Sequence, residues 1–360
     1  MRMGYRIAVI PGDNVGPEVV REGSKILRNL EKLGFGPFEC IGFPWGAGHY
    51  LKTGLAMPED GVNTMKEFDA IYFGAHGDPA RVPDQVASQG LMHKLRKGLN
   101  LYVNMRPIRL LPSIVSPIRD KSEIDFVVVR ENSEGEYAGV GGRLHIHTPD
   151  ELAIQASVVT RKGSERIMRF AFELARKRNG KKRVSLATKS NALNYSMPLW
   201  DEVFEQVAAC YPDIETEKLH IDNFSMMLIK RPESFDVIVA TNQFGDILSD
   251  EGAIIAGGIG LAAGANLDPE RRSPSLFEPI HGSAPDIAGQ GIANPVATIL
   301  AGQMMLDWIG ETEAACLVKK AVEGVLTEGL VRTRDLSGTA TTQEMGDAIV
   351  RKLSEVSCSG

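Results

Sequence analysis

The sequence predicts an α/β sandwich of two domains, in which strands alternate with helices from end to end. Short β-branched or apolar runs (RIAVI, AIYF at 70–73, DFVVV at 125–129, VIVA at 237–240) each pass into a polar or glycine turn. Helical periodicity follows most of them. At 360 residues the chain exceeds the size at which one hydrophobic core usually stops growing, so two domains are expected. No internal repeat, low-complexity tract or disordered linker breaks the alternation.

Composition narrows the function classes. The formal net charge of −6 gives no reason to expect nucleic acid, and an anionic substrate would need a locally basic pocket. Cys40, Cys210, Cys316 and Cys358 are scattered without CxxC spacing, which favours reduced thiols. A strand begins almost at the N-terminus, leaving no room for a signal peptide. No apolar run approaches the ~20 residues of a membrane span. The expectation is a soluble cytoplasmic protein.

Taken in order, Tyr5–Ile10 reads as a strand, followed by PGDNVGPEVV and a helix over Glu18–Leu33. Gly12 and Gly16 supply turn freedom and Asp13 is a candidate helix cap. The spacing is not G-x-G-x-x-G, so a nucleotide loop and a plain tight turn both remain open. Ala70–Phe73 is a second buried strand ending in glycines, with His76 either facing a ligand or solvated. A helix then brings Arg96, an extended segment brings Arg106 before Pro107, and the strand EIDFVVVR ends on Arg130. Each arginine alone reads as a surface charge. Together, at element ends, their planar forks suit a di- or tricarboxylate.

The polar turn Glu131–Tyr137 places a phenol near Arg130. Ala138–Val159, with Gly141, Gly142 and a Pro-Asp turn, reads as a β-excursion of the kind that clasps a second subunit. A long amphipathic helix covers Thr160–Arg178. VSLATKSNAL is a strand running into a turn that bears Lys189, either a snorkelling surface residue or a functional amine. Leu219–Asp222 reads as a short strand ending in a carboxylate.

The stretch Val237–Gly252, VIVATNQFGDILSDEG, is a buried strand, a polar turn at Asn242–Gln243, and a helix carrying Asp246 and Asp250. Carboxylates four residues apart on a helix project from one face. Offering only oxygen, they suit Mg²⁺ or Mn²⁺ better than zinc; the other reading is an acidic first turn complementing the helix dipole. Phe277–Gly289 is a long loop rich in Gly and Pro. Its Asp286 could accept from both ribose hydroxyls of NAD and repel a 2′-phosphate, or the loop could be a large irregular turn. Asn294-Pro295 caps a helix over Val296–Trp308, and two more helices finish the chain.

These motifs, PGDNVGPEV, NMRP, VVRENSEGEY, ATKSN, NQFGDILSDEG and EPIHGSAPDIAGQGIANP, span nearly the whole length. The chain resembles the metal-dependent β-decarboxylating dehydrogenases of the isocitrate/isopropylmalate dehydrogenase family. Through YVNMRPIRLLP, NLDPER and SLFEPIHGSAPDIAG it is most similar to their tartrate/D-malate branch. The resemblance implies an isopropylmalate-dehydrogenase-like two-domain, three-layer sandwich with no Rossmann domain. Residues 1–105 plus 257–360 would form the cofactor-side domain, and 106–256 an inserted domain with the metal site, dimer interface and arm near 138–159. It also implies a homodimer with shared active sites between domains.

By resemblance, Asp246 and Asp250, with Asp222 from the partner subunit, are the metal ligands. Lys189, also supplied by the partner, takes the substrate hydroxyl proton, and Tyr137 is the acid that protonates the decarboxylated product. Arg96, Arg106 and Arg130 hold carboxylates. Glu278 lies near the nicotinamide, His281, Gly282, Ser283 and Ala284 belong to the cofactor loop, and Asp286, Ile287 and Asn294 contact the adenosine. The implied cofactors are NAD and Mg²⁺ or Mn²⁺, with K⁺ a further candidate.

Specificity rests on the helix before Arg96. Isopropylmalate enzymes present adjacent leucines there, where this chain has Met92 and His93; isocitrate enzymes present a serine and an asparagine, where it has Gly90 and Met92. His93 also departs from the apolar patch of the tartrate/D-malate branch and could meet the distal end of a substrate or face solvent. Asn14 and Gln243 stand where the family usually has glycine and leucine; asparagine tolerates a left-handed turn. The expected activity is NAD- and metal-dependent oxidation of D-malate or tartrate. The alternatives are a 3-alkylmalate such as 3-isopropylmalate, or a catalytically silent regulatory subunit. The full set Tyr137, Lys189, Asp222, Asp246 and Asp250 argues against the last.

Overall fold

A computed structural model describes residues 4–120 and 123–358. The chain divides into two compact units: Met1–Leu101 with Leu110–Pro117 and Ala253–Gly360, and Tyr102–Arg109 with Ile118–Gly252.

In the first unit five strands lie in the order Phe38–Gly42, Tyr5–Gly12, Ala70–Ala75, Ser275–Pro279, Ala263–Leu267. The pairings are parallel except the last, where Ala263 faces Pro279. Ala70–Ala75 is buried throughout, as a strand covered on both faces must be. Helices Gly16–Lys32 and Val296–Ile309 pack near its centre, where the fully buried Tyr72 donates from its hydroxyl to the Thr298 carbonyl at 2.7 Å. Gly23 is required there, because a Cβ would lie 1.9 Å from the Tyr72 hydroxyl. Thr341 and Glu344 close a capping box at the start of helix Thr342–Ser357.

The second unit has the order Val103–Arg109, Asp125–Glu131, Val237–Ala240, Arg183–Thr188, Glu215–His220, with only the first pair antiparallel. Helix Arg161–Arg178 covers it, its first turn capped by the Thr160 hydroxyl, which accepts the Gly163 N–H. Phe126, Phe224 and Phe235 form one aromatic cluster in its core. The β-excursion is a two-stranded antiparallel ribbon, Gly141–Leu144 with Leu152–Gln155. Leu144, Ile146, Leu152 and Ile154 are all exposed on this ribbon.

Three local expectations are corrected. Asp13 does not cap the helix that follows it. It is buried, and its carboxylate accepts the N–H groups of Ala47 at 2.9 Å and Gly77 at 3.0 Å, tying together segments distant in sequence. No turn separates Val237–Ala240 from its helix beyond Thr241; the helix starts at Asn242. Asp222 is in the first turn of helix Ile221–Lys230, not at the end of a strand. The turn at Asn14 is left-handed, with φ 52°, as an asparagine there allows. All four cysteines are unbridged and exposed, and among the described residues no helix is long and apolar enough to cross a membrane.

Candidate active site

Strand register assembles the site in the second unit. Asn104 and Arg106, two residues apart, share one face of their strand, and Arg130 stands directly opposite Asn104 on the neighbouring strand. Helix Asn242–Ile255 lays a polar stripe, Asn242, Asp246, Ser249 and Asp250, over that face, the i, i+4 spacing of a helix meeting the i, i+2 spacing of a strand. Arg130 donates from Nε and Nη2 to Asn242 Oδ1 at 2.9 and 2.7 Å, and from Nη1 to Asp246 Oδ1. Arg106 donates from Nε to Asn104 Oδ1 at 3.0 Å, and from Nη1 to Ser249 Oγ at 2.7 Å and to Asp246 Oδ1 at 3.2 Å. Its Nη1 is 3.6 Å from Asp250 Oδ1.

Both guanidiniums are buried, whereas the Asp246 and Asp250 side chains are 36% and 53% exposed, so the carboxylates form the open edge of the site. Burial, with the neighbouring Asp246 charge, holds the Asp250 carboxyl above its usual range, although Arg106 opposes this. Tyr137, in the one-turn helix Glu136–Ala138, directs its hydroxyl at Asp246 Oδ2 at 3.4 Å, with the Arg130 guanidinium 5.6 Å from its ring centre. Burial and then the Asp246 charge push its phenol up, so the proton stays on at neutral pH.

Lys189 follows strand Arg183–Thr188 directly, and its Nζ lies 2.8 Å from Asp222 Oδ1. That bond holds the exposed Asp222 carboxyl below its usual range. Asp201 fixes the turn, accepting the Thr188 hydroxyl at 2.6 Å and the Ser190 hydroxyl at 2.7 Å. Asp222 does not join Asp246 and Asp250: among the described residues no three His, Cys, Asp or Glu side chains are grouped to hold a metal ion.

In the first unit Arg96 is buried on helix His93–Gly98, with Nη2 3.1 Å from Glu278 Oε1, which also accepts from Asn266 Nδ2 at 2.7 Å. His76 pairs with Ser88 Oγ at 3.4 Å, and burial pushes its imidazole down. Met92 is 1% exposed and packs with Leu91 and Leu95 in the core, so of the Met92–His93 pair only His93 presents surface. The loop from His281 to Asn294 is tied to the first turn: Asn14 Nδ2 donates to the Gly77 carbonyl at 2.9 Å and contacts Ser283 Oγ at 3.4 Å. Val15 and Val19 pack under Ala284 and Ile287, while Gly282 and Asp286 remain exposed. His281 is half-buried, which pushes its imidazole down, and Nδ1 meets the Gly282 carbonyl at 2.9 Å. Asn294, one residue before the Pro295 N-cap, accepts the Val296 N–H on its Oδ1 at 3.0 Å, and its amide donates to Asp335 at 2.9 Å.

Sequence reasoning missed several residues that set this geometry. Asn242, a turn residue by its local sequence, fixes the Arg130 fork and donates to the Glu134 carbonyl at 3.1 Å. Gly245 lets the helix approach, since a Cβ there would lie 2.6 Å from Arg130 Cβ. Buried Glu131 accepts the N–H groups of Ser133 at 3.0 Å and Glu134 at 2.7 Å, setting the turn between Arg130 and Tyr137. Asn242 and Gly245 sit four and one positions before Asp246, a helical stripe that could have flagged them. Asn104 offered no such signal, because its role depends on strand pairing.

The family model described as isocitrate/isopropylmalate dehydrogenase matches residues 6–349. The chain is 49% identical to a probable tartrate dehydrogenase/decarboxylase of Bacillus subtilis (strain 168), covering 97% of this chain and 98% of that protein. It is also 49% identical to D-malate dehydrogenase [decarboxylating] of Escherichia coli (strain K12), covering 98% and 99%. A solved isocitrate dehydrogenase from Methylococcus capsulatus shares the fold, with TM-score 0.88, 38% identity and 97% and 99% coverage. The sandwich without a Rossmann domain accords with that likeness. The chain belongs to the isocitrate/isopropylmalate dehydrogenase family.

Proposed function

We propose that this chain oxidises D-malate or tartrate with NAD and Mg²⁺ or Mn²⁺, with β-decarboxylation where the substrate allows it. The carrying observation is the pair of buried arginines, Arg106 and Arg130, directed at the half-open carboxylates of Asp246 and Asp250. Two planar cations fixed by Asn104, Ser249 and Asn242 are preorganised to bind carboxylates in a defined orientation. Relatives named for tartrate and D-malate, at 46–49% identity over nearly the full length, support a small substrate.

The donor chemistry fits a hard divalent cation, because Asp246 and Asp250 offer only oxygen. The proposed third ligand is the Asp222 of a second copy; among the described residues of one chain no third carboxylate stands beside Asp246 and Asp250. When bound, the cation supplies Lewis acidity and NAD a hydride acceptor. Lys189 Nζ takes the proton of the substrate hydroxyl. Arg106 and Arg130 hold its carboxylates, with Arg96 a further carboxylate contact. Tyr137, which keeps its proton at neutral pH, returns one to carbon after CO₂ leaves. Asp286, exposed on the loop after Glu278, disfavours a 2′-phosphate and so favours NAD over NADP. The proposed assembly is a homodimer clasped by the apolar ribbon.

The test is NADH formation with Mn²⁺ on D-malate, both tartrates, 3-isopropylmalate, isocitrate and homoisocitrate. A lead for D-malate or tartrate is expected. A lead for a bulkier acid would transfer specificity to the His93 region, and no turnover on the whole panel would overturn the reading.

A further inference from the structure

The first unit carries a cavity of about 400 Å³ lined by Lys66, Phe68, Asp69, Arg271, Arg272 and Trp308, among others. None of these has a part in the proposed reaction. The lining holds three cations against one carboxylate in a chain whose net charge is −6. Asp69 is already engaged, its Oδ2 accepting the Arg6 backbone N–H at 2.9 Å.

Arg271 and Arg272 form no ion pair among the described residues. The Arg271 guanidinium lies 4.2 Å from the centre of the Trp308 ring, and Lys66 Nζ donates to the neutral Asn63 Oδ1 at 3.2 Å. The turn presenting them is rigidly made. Asp268 is fully buried, and its Oδ2 accepts the N–H groups of Arg272 at 2.8 Å and Ser273 at 3.0 Å, with Arg271 left-handed at φ 55°.

We propose that this cavity binds a small phosphorylated molecule. Adjacent guanidiniums with a nearby ammonium match the several acceptor oxygens of a phosphate or diphosphate. The volume falls within the roughly 300–1,000 Å³ of small-molecule pockets, enough for a body beyond the phosphate, seated beside the half-buried Trp308. The cavity lies at the start of strand Ser275–Pro279, where Ser275 pairs with Ala70; Glu278 is three residues further along. At about 3.3 Å per residue that separation is on the order of 10 Å, so occupation leaves the Glu278–Arg96 pair free.

The experiment titrates the intact protein, saturated with NAD and without added divalent metal, with pyrophosphate and with adenosine monophosphate at constant ionic strength. Calorimetry and tryptophan fluorescence report binding, since Trp45 and Trp200 are buried and Trp308 is only half-buried. Expected is saturable binding of at least one of these ligands, weakened tenfold or more in R271A/R272A, with a fluorescence change that W308F abolishes while calorimetric binding remains. Absence of saturable binding, or binding unaffected by R271A/R272A, would overturn the site. Equal or tighter binding of citrate would overturn the phosphate class.

Discussion

Arg130 and Asp246 pair across the strand–helix junction of the second unit, Nη1 donating to the same Oδ1 that receives Arg106 at 3.2 Å. One carboxylate oxygen thus holds two buried guanidiniums together. Arg130→Lys keeps the charge but loses the fork that engages Asn242 and Asp246 at once. The expected outcome is a fall in kcat/KM for D-malate of about 10²-fold, roughly 2.7 kcal/mol of transition-state binding. Steady-state kinetics with a normal circular dichroism spectrum check it.

Lys189→Met should suppress oxidation by about 10²–10⁴-fold, the range of general acid–base contributions. NAD binding, measured by calorimetry, should stay within a few-fold. Turnover close to the parent's would remove Lys189 as the base.

Asp250 yields a pH prediction. Its carboxyl is held above the usual range by burial, with Asp246 reinforcing and Arg106 opposing. A raised folded pKa means the stabilising protonated form is complete below the unfolded value and is lost as pH rises through the folded one. Above that window the metal-free fold carries the cost of an ionised Asp250. Asp250→Asn should therefore raise the Tm of the metal-free protein at pH 7, with no such gain at pH 3. The same variant should lose most of the Tm increase that Mn²⁺ gives the parent. Scanning calorimetry with and without Mn²⁺ tests both.

Asp286→Lys should shift preference toward NADP, read as the ratio of kcat/KM values for the two cofactors. A loss of discrimination by tenfold or more is expected, because a carboxylate facing a 2′-phosphate becomes an ammonium. An unchanged ratio would remove Asp286 from the ribose.

The ribbon Gly141–Leu144 and Leu152–Gln155 exposes Leu152 and Ile154. Ile154→Asp places a charge in the proposed subunit clasp and should move the protein from dimer toward monomer in sedimentation velocity. Specific activity should then fall on dilution more steeply than in the parent, since each site would draw Lys189 and Asp222 from its partner. A dimer of unchanged stability would show that the ribbon is not the clasp.

Much of this was legible in the chain. Buried strands such as Ala70–Ala75 and Val237–Ala240 announce themselves as unbroken apolar runs, because covering both faces removes alternation. Asp246 and Asp250 were legible as a pair because helical spacing is local, and Arg130 because a charge ending a β-branched run is conspicuous. The tertiary structure decided which charges meet. Asn104, Arg106 and Arg130 share a face only through antiparallel register, and Asp13 abandons the adjacent helix for N–H groups at positions 47 and 77. Periodicity is set by neighbours along the chain and can be read there. Partnership between buried charges is set by whatever packing brings within about 3 Å, and only the folded chain contains that information.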